Sequence, residues 1–443
     1  MQKRHDFIEE GQQAYQEMRV FSYGFFLQQS SLLMLQYIQT QPSCLIHWTI
    51  RRLALDFSLT DEQKMIQQTV RRFVDRELMP LENEVLQNEG KYPTGVEPSL
   101  YHSLQMKAKE MGFWGINTPE EYGGANLGAV MTALIYIELG RTLVPFNFGG
   151  NADNILYQGN EWQKAEYLIP TIEGKRKSCF ALTEPGAGSD PSAIRTSAVK
   201  EGSHWVINGQ KVFITGGNEA DFAMVFAVTD RSKPPQNGGV TCFLVDRSMG
   251  WTSRRVPTMG GWSPAELFFE NVRVPEDHVL GKVGEGFSLG MQWIGQGRWF
   301  IASACVGTAE RLLQMAVDYA KQRVTFGQPI SDRQAIQWML ADSAVEIQAT
   351  KWLTLHAAWK VDQGLDNRHE ASMAKLYGSN MANRVVDRVM QIHGGMGYTR
   401  EMPIERWYRD LRVTRIYEGT DEIQHFIIAR DLLKGYVKIG SWE

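Results

Sequence analysis

The sequence predicts an α+β protein whose chain passes through a helical, a β and a second helical segment in that order. Apolar residues recur at helical spacing up to about residue 172, with a period of two between about Ser178 and Pro275, and at helical spacing again after Gly284. No alternating β-α-β rhythm and no internal repeat interrupts this order. A chain of 443 residues is long enough for two or three domains with substantial cores. We therefore expect a β domain between two helical domains.

The predicted domain boundaries follow these changes of pattern. We place an N-terminal extension at residues 1–54, a helical domain at 55–176, a β domain at 177–283 and a C-terminal helical domain at 284–437. The extension has no charged residue from Val20 to Ile50, which resembles a membrane segment, but glutamines and serines interrupt it. Acidic residues before Val20 are atypical of a signal peptide. We expect an extension outside the folded domains and no stable membrane insertion.

The first helical domain begins with Ser58 to Gln63, a helix-start signal that precedes apolar residues at helical spacing. In the β domain, Asn208 and Gly209 predict a type I′ hairpin turn, because this pair readily supplies two positive φ angles. Phe222 to Val228 and Val240 to Val245 predict further strands, and we expect the domain to be antiparallel.

Four positions predict where the C-terminal helices begin and end. Ser331 and Gln334 have the spacing of a capping box at a helix start. Gly394 is placed to end a helix in the left-handed region, and Pro403 suits the first turn of the next.

Charge and cysteine content exclude several classes of function. Lys and Arg number 46 against 50 Asp and Glu, so the net charge of -4 does not give the basic excess of a nucleic-acid-binding protein. The four cysteines are far apart and form no CxxC pair, so we expect neither a disulfide framework nor a zinc site. This cysteine usage favours a reducing compartment, and we expect the cytoplasm.

Two glycine-rich turns are candidate anion sites. Thr183 to Asp190 contains Gly186 and Gly188, and Gln391 to Tyr398 contains Gly394 and Gly395. Glycine lets successive backbone N–H groups point at one phosphate, although an ordinary surface turn or helix-to-helix turn has the same composition. Spacing alone leaves both interpretations open.

Glu418 is the candidate catalytic carboxylate. It lies within Tyr417 to Gln424, on a Gly-containing loop before an amphipathic helix. A lone Glu on a loop is usually exposed and inert. Beside two anion-binding turns, however, it suggests proton abstraction next to a phosphate-bearing cofactor.

These residues resemble the acyl-CoA dehydrogenases, flavoenzymes that introduce a double bond between Cα and Cβ of an acyl thioester. Ala181 to Asp190 is similar to the first signature of that family, and Gln391 to Asp410 is similar to the second in every spacing. The resemblance covers about Leu55 to Gly435. It implies the family fold, with a C-terminal four-helix bundle, and FAD between the β domain and this bundle.

The resemblance also implies which residues contact FAD, and three of them correspond to positions that reach the FAD of a neighbouring subunit: Arg323, Phe326 and Gln334. Phe213 stands where the family often has Trp, which is a conservative departure. The implied contacts are Phe180, Leu182, Thr183, Gly188, Ser189, Phe213, Ile214, Thr215, Arg323, Phe326, Gln334, Gln391, Gly394, Gly395, Thr420 and Glu422.

By the same resemblance, Glu418 is the base that removes the α-proton, as in short- and medium-chain members. Some relatives place this base on an upstream helix, where this chain has Gly297. Glycine carries no proton acceptor, so its presence there favours Glu418. The implied substrate contacts are Ser189, Arg298, Tyr417 and Gly419.

The expected reaction is the FAD-dependent oxidation of an acyl-CoA to the trans-2-enoyl-CoA, with electrons passed to electron-transfer flavoprotein. Alternatives are an acyl-CoA oxidase on the same fold and a non-catalytic flavin-fold binding protein. Gly286 to Gly290 also fits the GxSxG motif of serine hydrolases, but the required strand before it is not evident, so we expect a loop entering a helix. The family implies a homotetramer or homodimer. The acyl chain stays open.

Overall fold

The structure, a computed structural model, describes residues 58–440. The predicted extension at residues 1–54 and its alternative as a membrane segment lie outside these residues. Between residues 58 and 440, no helix has both the length and the apolar character that a membrane span requires.

The first helical part contains short and medium helices around an aromatic core. Phe73, Phe146 and Phe148 are buried there, with ring centroids 5.5 to 5.8 Å apart. A longer helix begins at Pro98, because the Glu97 carboxylate accepts hydrogen bonds from the backbone N–H groups of Ser99 and Leu100 in its first turn. The α-helices are α1 (Asp61–Phe73), α2 (Glu82–Gln87), α3 (Pro98–Glu110), α4 (Ala129–Leu139), α5 (Glu161–Gln163) and α6 (Ile169–Ile172).

The central part is an eight-stranded sheet with strand order β6-β7-β3-β2-β4-β5-β8, in which β1 also pairs with β4. All pairs are antiparallel except β1–β4 and β2–β4, which are parallel. The strands predicted at Phe222 and Val240 are present. The strands are β1 (Ser178–Ala181), β2 (Ser197–Glu201), β3 (His204–Ile214), β4 (Phe222–Val228), β5 (Val240–Asp246), β6 (Thr252–Arg255), β7 (Ala265–Pro275) and β8 (Val279–Leu280).

The hairpin turn predicted at Asn208 and Gly209 is wrong, because both residues lie inside β3. Gly209 has a φ of +153° and marks a register shift against β7. A Cβ on Gly209 would approach the Cα of Thr196 to 2.7 Å, so glycine is required for close backbone contact rather than for a turn. The chain turns between β2 and β3 instead, at residues 202–203.

The C-terminal part is built from long helices. The longest, α7, packs against α8 and α9, and α9 packs against α11 and α12. α7 also meets α4 at close range, since a Cβ on Gly140 would lie 2.5 Å from the carbonyl oxygen of Ala304. After β8 the elements are α7 (Gly286–Gln322), β9 (Val324–Thr325), β10 (Gln328–Pro329), α8 (Gln334–Asp362), α9 (Arg368–His393), α10 (Gly395–Tyr398), α11 (Ile404–Arg412) and α12 (Asp421–Leu433).

Two predictions about helix ends need correction. α8 begins at Gln334 without a side-chain cap, and Ser331 lies in a preceding 3₁₀ turn, so the capping box is wrong. Gly394 does end α9 with a positive φ of +58°, but its ψ of −135° is outside the left-handed helical region. Gly286 to Gly290 forms the first turn of α7, which confirms a loop entering a helix. The helix–β–helix fold class is confirmed.

Candidate active site

Glu418 lies on a strained loop at the start of α12. Its φ is +53° and that of Gly419 is +87°, so two consecutive residues have left-handed backbone conformations. Such a conformation is uncommon for a residue with a side chain and persists only where the surroundings enforce it. Thr420 then caps α12, its hydroxyl accepting from Ile423 N at 3.4 Å. The loop therefore fixes the direction in which the Glu418 side chain leaves the backbone.

The Glu418 carboxylate points at Gly297 of α7. A Cβ added to Gly297 would lie 2.9 Å from Glu418 Oε2 and 3.0 Å from its Cδ. Oε2 is buried and has no hydrogen-bond partner, so it is free to accept a proton. Burial raises the pKa of Glu418 to about 7, against the opposing charges of Arg298 and Lys375. A carboxyl group with this pKa suits a general base near neutral pH.

Arg298 follows Gly297 on α7 and is only 7% exposed. Its Nη1 donates to Ser372 Oγ at 3.2 Å, and its Nε is buried without a partner. Burial lowers the pKa of Arg298, and the Glu418 charge acts in the opposite direction. The guanidinium therefore stabilises the ionised form of Glu418.

Lys375 and Gln424 are residues of this site that the sequence did not indicate. Both are fully buried. Lys375 Nζ donates to the carbonyl oxygen of Gly419 at 2.7 Å, and Gln424 Nε2 lies 3.0 Å from the carbonyl oxygens of both Glu418 and Gly419. No motif spacing relates residue 375 to residue 419, so only the fold brings them together.

The first glycine-rich turn is tied to β3 by a buried ion pair. Lys211 Nζ donates to Glu184 Oε1 at 2.8 Å and to the carbonyl of Leu182 at 3.0 Å. The Glu184 carboxylate also accepts from the backbone N–H groups of Arg195 and Thr196. Gly188 is exposed, and a Cβ there would meet nothing within 4 Å, which leaves room for a ligand beside the backbone.

The end of β3 presents side chains next to this turn. Val212 N donates to the carbonyl of Thr183 at 2.9 Å, which brings the turn and the strand end together. Phe213 is 62% exposed and has a φ of +59°, Ile214 is buried and Thr215 is exposed. Phe180 stacks on Trp293 of α7, with centroids 4.0 Å apart. Leu182 is buried, Thr183 is half-buried and Ser189 is exposed.

The remaining predicted residues lie on the surface. Gln391, Gly394 and Gly395 are exposed at the end of α9, and Arg323, Phe326 and Gln334 are exposed around β9 and β10. Phe326 is 98% exposed, so its side chain is available to another molecule. Tyr417 and Glu422 are exposed on either side of the half-buried Gly419 and Thr420.

Backbone strain coincides with predicted site residues. Among residues 58–440, five residues other than glycine have a positive φ, and three of them are Phe213, Phe326 and Glu418. Strained backbone concentrates at ligand sites and active sites.

Within the same residues, no group of three His, Cys, Asp or Glu side chains is arranged to hold a metal ion.

Three family models match this chain: the acyl-CoA dehydrogenase N-terminal domain at residues 60–175, the middle domain at 179–272 and the C-terminal domain at 284–433. The human mitochondrial short-chain specific acyl-CoA dehydrogenase is 40% identical over 389 residues, covering 85% of this chain and 92% of its own length. The (R)-benzylsuccinyl-CoA dehydrogenase of Thauera aromatica is 38% identical over 395 residues, covering 86% and 97%. The structure of butyryl-CoA dehydrogenase from Megasphaera elsdenii matches with a TM-score of 0.77 and 34% identity, covering 86% of this chain and 100% of that one.

Proposed function

This chain belongs to the acyl-CoA dehydrogenase family of oxidoreductases, and from that premise we propose that it oxidises an acyl-CoA to the trans-2-enoyl-CoA with Glu418 as the base. One observation carries the proposal: Oε2 of the half-buried Glu418 is itself buried without a hydrogen-bond partner, in surroundings that raise the pKa of the carboxyl to about 7. An acidic hydrogen beside a thioester carbonyl needs an acceptor of this kind.

FAD is the proposed cofactor, and the chain has surfaces that fit it. Gly188, Gly394 and Gly395 expose backbone where an added Cβ would meet nothing within 4 Å. The N–H of Gly394 donates to the carbonyls of Met390 and Gln391, so the N–H groups proposed to face phosphate oxygens are those of Gly188 and Gly395. Phe213 and Thr215 present an aromatic face and a hydroxyl at the end of β3. Bound FAD would supply the acceptor for the hydride that leaves the β-carbon.

Three groups of this chain serve the proton transfer. Glu418 Oε2 takes the α-proton, and the charge of Arg298 favours the ionised form of the carboxyl against the effect of burial. The backbone N–H of Glu418, held by the left-handed loop, is proposed to donate to the thioester oxygen and to stabilise its developing negative charge. Ser189, Tyr417 and Gly419 are the further substrate contacts that the resemblance supports.

The test of the base is Glu418→Gln, which keeps the shape of the side chain and removes the proton acceptor. We expect the variant to bind FAD as the parent does and to bleach it with acyl-CoA at least about 1,000-fold more slowly, at the level expected for loss of an essential base. Glu270→Gln, the same change at an exposed carboxyl of β7, should bleach at the parent's rate. Bleaching of Glu418→Gln at the parent's rate would exclude Glu418 as the base.

The proposed electron acceptor is electron-transfer flavoprotein, with an oxidase as the alternative. Protein reduced by acyl-CoA without oxygen should transfer its electrons to electron-transfer flavoprotein and react slowly with oxygen. Fast reoxidation by oxygen would favour the oxidase.

A panel of straight, branched and aromatic acyl-CoAs with an artificial acceptor would identify the acyl chain.

The proposed assembly is a homotetramer or homodimer, in which the exposed Arg323, Phe326 and Gln334 would face the FAD of a neighbouring subunit.

A further inference from the structure

We propose that Lys375 is a positioning residue for the base. It holds the Glu418–Gly419 loop through the carbonyl of Gly419, and its ammonium charge keeps the nearby carboxyl able to ionise. This inference rests on the proposed role of Glu418. In this proposal Lys375 does not contact substrate or cofactor, because it acts by holding the loop.

The first observation is the clamp around the loop. Lys375 comes from α9 and Gln424 from α12, and together they hold the two carbonyl groups of Glu418 and Gly419 from inside the protein. Both residues of the loop have left-handed backbone, which would relax if the carbonyls were released. Rotation of the Glu418–Gly419 peptide would change both the direction of the side chain and that of the adjoining N–H groups.

The second observation is the placement of charge. Asp421, the acidic residue at the start of α12, is already paired with Arg415 Nε at 2.7 Å and with Asn380 Nδ2 at 3.0 Å. Lys375 instead donates to a neutral carbonyl, at a position that is fully buried. Its positive charge therefore acts on Glu418 through a medium of low dielectric, where charge effects are large.

The charged and titratable groups that act on Lys375 come from α7, from the Glu418 loop and from α12. Burial lowers the pKa of Lys375 to about 8, and the charge of Asp421 is the largest opposing influence. An ammonium with this pKa is still mostly charged at pH 7. The titratable or charged neighbours are Cys305 and Arg298 on α7, Glu418 on the loop and Asp421 on α12.

The experiment compares three substitutions in the FAD-loaded enzyme. Lys375→Met removes both the hydrogen bond and the charge, Lys375→Gln keeps a donor and removes the charge, and Lys375→Arg keeps the charge. Lys351→Met is the control, because Lys351 pairs with Glu310 in the same helical domain, away from this loop. The readouts are the flavin spectrum, kcat, KM and the pH midpoint of kcat/KM.

We expect Lys375→Met to retain its flavin spectrum and to lose at least about 10-fold in kcat. The pH midpoint of kcat/KM should rise by about one unit, because one nearby positive charge lowers a carboxyl pKa by about that amount. Lys375→Gln should raise the midpoint with a smaller loss of kcat, and Lys375→Arg and Lys351→Met should keep the parent's midpoint. If Lys375→Met does not fold, the Gln and Arg variants carry the comparison.

A midpoint unchanged in Lys375→Gln, together with a parent-like kcat, would overturn the inference. A purely structural role would lower the amount of folded protein without moving the midpoint. Failure of the proposed base is a separate result: it would appear as full activity of Glu418→Gln, whatever the Lys375 variants do.

Discussion

At the scale of single residues, the proposed base depends on the residue that faces it. The Glu418 carboxylate occupies the space beside α7 that Gly297 leaves empty, at 2.9 Å from the position of an added Cβ. A contact of that length forces either the helix or the carboxylate to move. Gly297 thus has a steric role in addition to its lack of a proton acceptor.

Gly297→Ala should separate stability from activity. Alanine favours a helix over glycine by about 1 kcal/mol, so the stability of α7 should not suffer, while displacement of Glu418 should lower kcat by about 10-fold to 100-fold. Gly295→Ala is the matched control two residues earlier, where an added Cβ meets nothing within 4 Å. Thermal unfolding and steady-state kinetics of both variants make the comparison. Equal kcat in both would show that Glu418 tolerates the contact.

The pH dependence of the reaction follows from the environment of Glu418. Burial raises its pKa to about 7, and the base must be ionised to act, so kcat/KM should rise tenfold per pH unit below about 7 and level off above it. An apolar acyl chain buries the carboxyl further, so the midpoint of kcat should lie at the same or a higher pH. Kinetics with one acyl-CoA between pH 5 and pH 9 measure both curves. A flat kcat/KM over this range would contradict the assignment.

The sequence could mark Glu418 as a candidate base, but not Lys375 and Gln424, which hold its loop. Glu418 lies in a continuous motif, where the loop glycine and the following helix are adjacent in the chain. Lys375 is 43 residues away on α9, among alanines that give no sign of a polar role. Its proposed role depends on its hydrogen bond from α9 to the loop before α12, which local pattern does not encode.

At the scale of elements, periodicity predicted the strands well and the turns poorly. β4 is a continuous apolar run and β5 is one apart from Thr241 and Asp246, and the short length and the β-branched and aromatic residues of both favour strands. Asn208 and Gly209 have the composition of a hairpin turn, but the neighbouring strand β7 and Thr196 decide their conformation. Ser331 likewise has the composition of a cap, and the preceding 3₁₀ turn decides its position. Such outcomes follow from tertiary contacts rather than from local propensity.

The first glycine-rich turn should depend on the Lys211–Glu184 pair. Both side chains are buried, so Lys211→Met leaves the Glu184 carboxylate without its cation, a change that costs about 3–5 kcal/mol in buried pairs. Lys200→Met breaks a half-exposed pair with Glu276 in the same domain and should cost about 0–1 kcal/mol. Urea unfolding gives the two free energies, and gel filtration shows whether FAD is retained.

We expect Lys211→Met to lose FAD as well as stability, because the pair holds the turn at two points. Lys211 donates to the carbonyl of Leu182 before the turn, and Glu184 within the turn accepts from the backbone N–H of Thr196. Lys200→Met should retain FAD. Loss of stability with full retention of FAD would mean that the turn keeps its shape without the pair.

At the scale of the whole molecule, the sequence predicted the order of helical and β parts but not how they are joined. Arg409 of α11 illustrates the reason. Its Nη1 donates to Glu89 Oε1 at 2.6 Å and to the carbonyl of Met259 at 2.8 Å, while its Nε donates to Glu405. These partners come from the first helical part, the β part and α11 itself. A residue 320 positions away in the chain leaves no local pattern by which it could be recognised.

Arg409→Met should therefore weaken the contact among all three parts. The guanidinium and its two carboxylate partners are at most a quarter exposed, so the substitution leaves partly buried carboxylates without their cation, and the carbonyl of the exposed Met259 without a donor. We expect a loss of about 2–4 kcal/mol in the free energy of unfolding, since bonds to charged groups are each worth more than neutral ones. Arg412→Met, at an exposed position of the same helix, should change it by less than about 0.5 kcal/mol. Urea unfolding measures both values, and hydrogen exchange should show faster opening of residues 256–264 only in Arg409→Met. Equal stability of the two variants would mean that the three parts are held together by their apolar contacts, such as that between α4 and α7, and that Arg409 adds little.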